Sequence, residues 1–172
     1  MKGVLFLLGI ILSWPGHATD SVIRYVKPEA VKDSRNDYFV KLLTLILEKT
    51  QTKGQFTRLE ATSDNMQQGR AIHELIMGRN IDIVWSVTSI AREKHLLPIR
   101  IPLLKGLLGY RVLLIRTEDS NKFKTITSRQ ELMQLTAGQG HDWPDTEILK
   151  ANQLPVITSP TYKGLFSMLH SR

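Results

Sequence analysis

Two periodicities alternate along the chain. Short apolar runs suit strands, and stretches with an apolar residue every three or four positions suit helices that bury one face. Val22 to Pro28, VIRYVKP, reads as a strand, and Asp37 to Thr50, DYFVKLLTLILEKT, places Phe39, Leu42, Leu43, Ile46 and Leu47 on one helical face. A weaker strand, QFTRLEA, follows the turn expected at Lys53 and Gly54. In DNMQQGRAIHELIMG, Asp64 and Gln67 resemble a capping box, Ile72, Leu75 and Ile76 form an apolar stripe, and Gly78 is placed to end the helix. Ile81 to Val87, IDIVWSV, then reads as a buried strand.

The pattern restarts beyond a connection rich in leucine and proline. Tyr110 to Arg116, YRVLLIR, is too apolar to be expected outside a sheet. Ser128 and Glu131 have capping-box spacing and should start a helix. Leu135 to Gly138 fits a short strand, WPDTEILKAN a helix ended by Asn152, Pro155 to Ser159 a strand, and TYKGLFSMLH a last helix. Alternation of strand and helix in both blocks implies crossover connections and mostly parallel pairing. The expected fold class is therefore α/β. Two lobes, residues 19–104 and 105–172, would each be a mostly parallel sheet flanked by helices, joined near residues 98–110 with a cleft between them.

The first eighteen residues stand apart. Lys2 precedes an apolar run from Val4 to Leu12, Pro15 breaks the pattern, and Gly16 and Ala18 are small residues at the minus-three and minus-one positions of a cleavage site before Thr19. This is the pattern of a secretory signal peptide, residues 1–18. The run is far shorter than the ~20 residues needed to span a bilayer, so no stable membrane insertion is expected after cleavage. The expected location is a bacterial periplasm. With no cysteine in the chain, the fold has neither disulfides nor a lipid-attachment thiol to rest on. The net charge of +7 is dispersed singly or in pairs with acids between. That pattern argues against nucleic acid and favours attraction of anionic small molecules or an acidic partner surface.

Two stretches carry candidate chemistry. AGQGHDWPD, Ala137 to Asp145, falls where a strand is expected to end and a helix to begin. Ligands of open α/β sheets gather at that edge, where unpaired N–H groups and the positive end of a helix face them. Asp142 can cap the helix, with Asp145 three residues on and Pro144 in the first turn. Gly138 and Gly140 let a ligand approach the backbone, which makes Gln139, Gly140, His141 and Asp142 candidate contacts. The stretch lacks the dinucleotide fingerprint and the lysine of a phosphate-binding loop, and His141 has no second histidine nearby, so neither nucleotide nor metal is expected. An ordinary capped helix fits the same residues.

The second stretch runs from Trp85 to Arg92, WSVTSIAR. Trp85, Ser86, Thr88 and Ser89 emerge where the expected third strand would reach the cleft, and Arg92 follows one turn later. A guanidinium suits bidentate pairing with a carboxylate. Spacing alone favours a solvated Arg92 beside Glu93 and Lys94, and Trp85 and Tyr110 suit packing at the lobe junction as well as stacking on a ligand. His73, His95 and His170 have no partner at catalytic spacing, and no nucleophile elbow or carboxylate pair stands out. No catalytic residue and no cofactor is expected.

SVTSIAR, followed by LLPIRIPLLKG, resembles the periplasmic solute-binding proteins of amino-acid-type ABC transporters over about residues 22 to 169. The resemblance implies two lobes that close about a hinge on a small polar or anionic, amino-acid-like solute, which is then delivered to the transporter's membrane subunits. It makes Arg92 the carboxylate anchor and Ser89 a hydroxyl donor. AGQGHDWPDTEIL resembles the family's second-lobe strand and helix start, although His141 and Asp142 stand where many members have small hydroxyl residues, and Ala91 replaces a common acid. Members also continue past the helix at Tyr162 and return to the first lobe, whereas this sequence ends at SMLHSR. The second lobe is therefore expected to be incomplete and binding impaired. Two other functions fit the scaffold: an enzyme like the periplasmic dehydratases of aromatic amino-acid synthesis, and a ligand-sensing module of a larger receptor.

Overall fold

The computed structural model describes residues 21–29, 33–52 and 56–171; the expected signal peptide and the turn at Lys53 and Gly54 lie outside the described residues. In chain order the elements are β1 (Ser21–Tyr25), α1 (Asp37–Thr50), β2 (Thr57–Ala61), α2 (Gln68–Ile76), α3 (Ile90–Glu93), α4 (Ser120–Lys124), α5 (Arg129–Leu132), β3 (Ala137–Gly140), α6 (Pro144–Ala151), β4 (Val156–Ser159) and α7 (Tyr162–His170). The protein is α/β, with two small parallel sheets. β1 pairs with β2 from Ser21 opposite Thr57 to Tyr25 opposite Ala61, and β3 with β4 from Ala137 opposite Val156 to Gly140 opposite Ser159. A helix makes each crossover, and another follows each second strand. One arrangement, β-α-β-α, thus occurs in both halves of the chain.

Local signals account for most boundaries. Gly78, at φ 63°, ends α2 in a Schellman motif: the Arg79 N–H donates to the Glu74 carbonyl at 2.9 Å and the Gly78 N–H to the Leu75 carbonyl at 3.1 Å. Ser128 and Glu131 form a reciprocal capping box on α5. Pro144 occupies the first turn of α6, where no N–H is needed. Thr161 caps α7 by accepting from the Gly164 N–H at 3.1 Å.

Two expected strands do not form. Residues 81–87 run beside β1 without joining a ladder: the Asp82 and Ile83 N–H groups donate to the Arg24 carbonyl at 2.9 and 3.4 Å. The Asp82 carboxylate accepts the Arg24 N–H at 2.8 Å, a position a strand carbonyl would otherwise fill, and also pairs with the Arg24 guanidinium at 2.9 Å. Residues 110–116 form no strand, and Tyr110, Val112 and Leu114 are 83, 88 and 67 % exposed. Strand propensity reflects packing against neighbours, and this segment has no partner strand among the described residues. Its Arg111 instead pairs with Asp145 in the first turn of α6 at 2.6 Å. The strand expected at Leu135 to Gly138 forms two residues later, which takes Gln139 and Gly140 into β3.

Apolar burial is concentrated in the first half, where Met66, Ala71 and Ile81 form a small cluster flanked by Val26 and Leu75. The buried residues of the second half are Gly140, Thr146 and Ser159. The two hydroxyls are satisfied locally: Thr146 donates to the Gly140 carbonyl at 2.8 Å and Ser159 to the Thr161 carbonyl at 2.9 Å. No helix among the described residues is long and apolar enough to cross a membrane.

Candidate functional site

A cleft of about 240 Å³ lies between the halves. Its walls come from the segments that leave the carboxyl ends of all four strands. After β1 come Val26, Lys27, Glu29, Asp33, Arg35 and Asn36; after β2, Met66, Gln67 and Gln68 at the start of α2; at the end of β3 and beyond, Gly140, Asp142 and Trp143; at the end of β4 and beyond, Ser159 to Tyr162. Ile83, Val84 and Trp85 add a further edge from the segment beside β1. This is the edge at which open α/β sheets receive ligands.

The aromatic walls are backed by further rings. Trp85 stacks on Phe39, with centroids 5.4 Å apart and planes at 18°, and leans on Tyr25 at 5.9 Å. Its Nε1–H donates to Asn36 Oδ1 at 3.3 Å, so Trp85 is fixed by α1 and the turn before it. Opposite it, Trp143 lies 6.3 Å from Tyr162, which meets Phe166 edge-on at 5.1 Å. Gly140 makes the seat for Trp143: a Cβ there would lie 2.5 Å from the indole.

Charge in the cleft is organised around Arg35. Its Nε donates to Asp33 Oδ1 and its Nη2 to Asp33 Oδ2, both at 2.7 Å, and Nη2 also reaches Glu29 at 3.1 Å. Its guanidinium carbon sits 4.0 Å over the Tyr162 ring, which belongs to the other half. Hydrogen bonds from Arg35 lower the Asp33 pKa to about 2, and Asp33 in turn raises that of Arg35.

Asp142 has a different partner from the one its position in the sequence suggests. It does not cap α6, whose N-cap is Trp143 with no side-chain bond. Its carboxylate instead accepts the N–H of Gly69, 2.5 Å away at the second residue of α2. The N-cap of α2, Gln67, makes no side-chain cap bond, so the second half supplies the cap that the first half lacks. The expected Asp64 and Gln67 box is absent.

The other candidates divide between the cleft and its supports. Trp85, Gly140 and Asp142 line the cleft, whereas Arg92, Ser89, Thr88, Gln139 and His141 are not among its walls. Arg92 lies behind them, with Nη1 donating to Ser86 Oγ at 2.7 Å and to the Val87 carbonyl at 2.6 Å, and Nη2 to Gln68 Oε1 at 2.8 Å. It thereby ties α3 to the start of α2. Burial pulls its pKa down while the Asp142 carboxylate pushes it up, and an arginine keeps its charge under both influences. Ser89 caps α3 through the Arg92 N–H at 3.3 Å, and Thr88 donates to Glu93 at 2.7 Å. Gln139 lies within β3 opposite Thr158. His141 is exposed, with its N–H on the Ser159 carbonyl at 3.2 Å.

The residues that sequence reasoning missed are Glu29, Asp33, Arg35, Trp143 and Tyr162. Each lies in the connection that follows a strand or at the start of the next helix, so the same strand-end rule that selected Gly140 and Asp142 reaches them when the whole connection after each of the four strands is included. No family model, curated protein or solved structure matches the chain.

Proposed function

We propose that the protein is a periplasmic solute-binding receptor, with a two-lobed periplasmic-binding-protein-like fold, that captures a small polar or anionic, amino-acid-like solute between its halves for an ABC transporter. One observation carries the reading: the cleft gathers the carboxyl ends of the strands of both sheets, so each half contributes part of the wall. Fixed indole and phenol rings supply apolar faces. Lys27 and the cluster of Arg35, Asp33 and Glu29 place both signs of charge on the wall, which suits a zwitterion. Arg92 acts in this account as a positioning residue that holds the start of α2. A hinge motion would part the halves to admit the solute and bring the two walls back onto it.

A thermal-shift screen against amino acids, short peptides and organic acids tests the proposal. A ligand at 100 times its dissociation constant stabilises the folded state by about 2.7 kcal/mol, which raises the melting midpoint by several degrees. A shift with one solute class and no turnover supports the receptor. Turnover of a prephenate-like acid would replace it with the enzyme reading, and no shift at millimolar solute would remove it.

A further inference from the structure

We propose that the two halves are clasped across the cleft by side chains reaching in opposite directions, Asp142 onto the first half and Arg35 onto the second, so that the cleft opens only when the clasp parts. This adds a gate to the same cleft and so rests on the receptor reading for its purpose. Its geometry stands apart from any solute.

Each contact is built rather than incidental. Asp142 directly precedes Trp143 and Pro144, a natural place to cap α6, yet its carboxylate reaches the Gly69 N–H in the other half and α6 is left without a side-chain cap. The positive end of α2 and the nearby Arg92 both favour a carboxylate there. Gly69 leaves room for it, since a Cβ at that position would lie 3.0 Å from Asp142 Oδ2. From the other side, Arg35 is aimed by two carboxylates, Asp33 and Glu29, and lays its guanidinium on Tyr162 at 4.0 Å. A cation so placed over a ring face is attracted by its quadrupole. Asp142, Arg35 and Tyr162 all line the cleft and bridge it, so moving the halves apart must break these contacts.

The chain has no cysteine, so a pair of introduced thiols labels it uniquely. Lys41→Cys on α1 and Lys163→Cys on α7 are both at exposed positions, and spin labels there report the separation of the halves in the full chain without added solute. The clasped protein is expected to give one narrow distance distribution. Asp142→Ala and Arg35→Gln should each broaden and lengthen it, with Asp142→Ala lowering the closed-to-open ratio by about tenfold or more, as loss of a hydrogen bond to a charged group implies. Tyr162→Leu removes the ring beneath the Arg35 guanidinium and should also open the pair. Distributions for Asp142→Ala and Arg35→Gln that superimpose on the parent would overturn the clasp. Should Asp142→Ala not fold by circular dichroism, Arg35→Gln alone decides. Because no solute enters the measurement, failure of the clasp leaves the receptor reading standing, and failure to find a solute leaves the clasp tested.

Discussion

Two glycines in one strand answer differently to the same methyl group. Gly138 and Gly140 both lie in β3, and neither has a positive φ, so alanine is allowed by the backbone at both. What differs is the space beside them. A Cβ on Gly140 would lie 2.5 to 2.6 Å from three atoms of the Trp143 indole, a rigid group that must move, and such overpacking costs about 1–3 kcal/mol. A Cβ on Gly138 meets only Leu165 Cδ2 at 3.7 Å, an ordinary contact. There the lower entropy of the unfolded chain stabilises by about 0.4–1 kcal/mol. The two substitutions should therefore move stability in opposite directions, separating them by about 1.5–4 kcal/mol in urea unfolding followed by circular dichroism. Trp143 fluorescence should also change in Gly140→Ala and stay as it is in Gly138→Ala. Equal stability of the two variants, with unchanged fluorescence, would refute the seat assigned to Trp143.

Three further outcomes follow from the charges, the exposed segment and the amino terminus. Asp33 titrates at about 2 in the fold, against about 3.9 in an unfolded chain, so the stability it adds is fully present above the unfolded value and is lost as pH falls through about 2. Acid unfolding of Asp33→Asn should lack that component, and parallel stability curves between pH 5 and pH 2 would contradict it. Tyr110, Val112, Leu113 and Leu114 leave an exposed apolar segment open to strand pairing, so light scattering should detect self-association that falls when Val112→Lys and Leu114→Lys are combined; a parent monomeric at high concentration would contradict this. Mass spectrometry of the exported protein should find Thr19 at its amino terminus, and a full-length product in the membrane would count against the signal peptide.

Much of the architecture was legible because its signals are local. The stripe of Phe39, Leu42, Leu43, Ile46 and Leu47, the Gly78 stop, the Ser128 box and Pro144 each act within a turn or two, and the helices lie where those residues put them, although Ile46 is 45 % exposed. The strands were less legible because pairing is decided at a distance. The apolar runs 81–87 and 110–116 have strand composition, but Asp82 takes the hydrogen bond a ladder would need, and Arg111 is drawn to Asp145. At the site, the strand-end rule found Trp85, Gly140 and Asp142 among the cleft walls. It did not reveal the bond from Asp142 to Gly69, 73 positions away, and no spacing pattern encodes such a contact. For Arg92, spacing alone suggests a solvated charge and the resemblance a carboxylate anchor; its role as a brace for Gln68 depends on tertiary geometry alone.

Trp85 and Trp143 stand on opposite walls of the cleft in which the solute is proposed to bind. Fluorotryptophan incorporated into the chain beginning at Thr19 gives fluorine resonances from Trp85 and Trp143, assigned by single tryptophan-to-phenylalanine variants. Titration with the solute that produces the thermal shift should move the Trp85 and Trp143 resonances together, along curves with one dissociation constant. A solute that shifts only one of the two, or neither while still raising the melting midpoint, binds elsewhere and contradicts the cleft as the site.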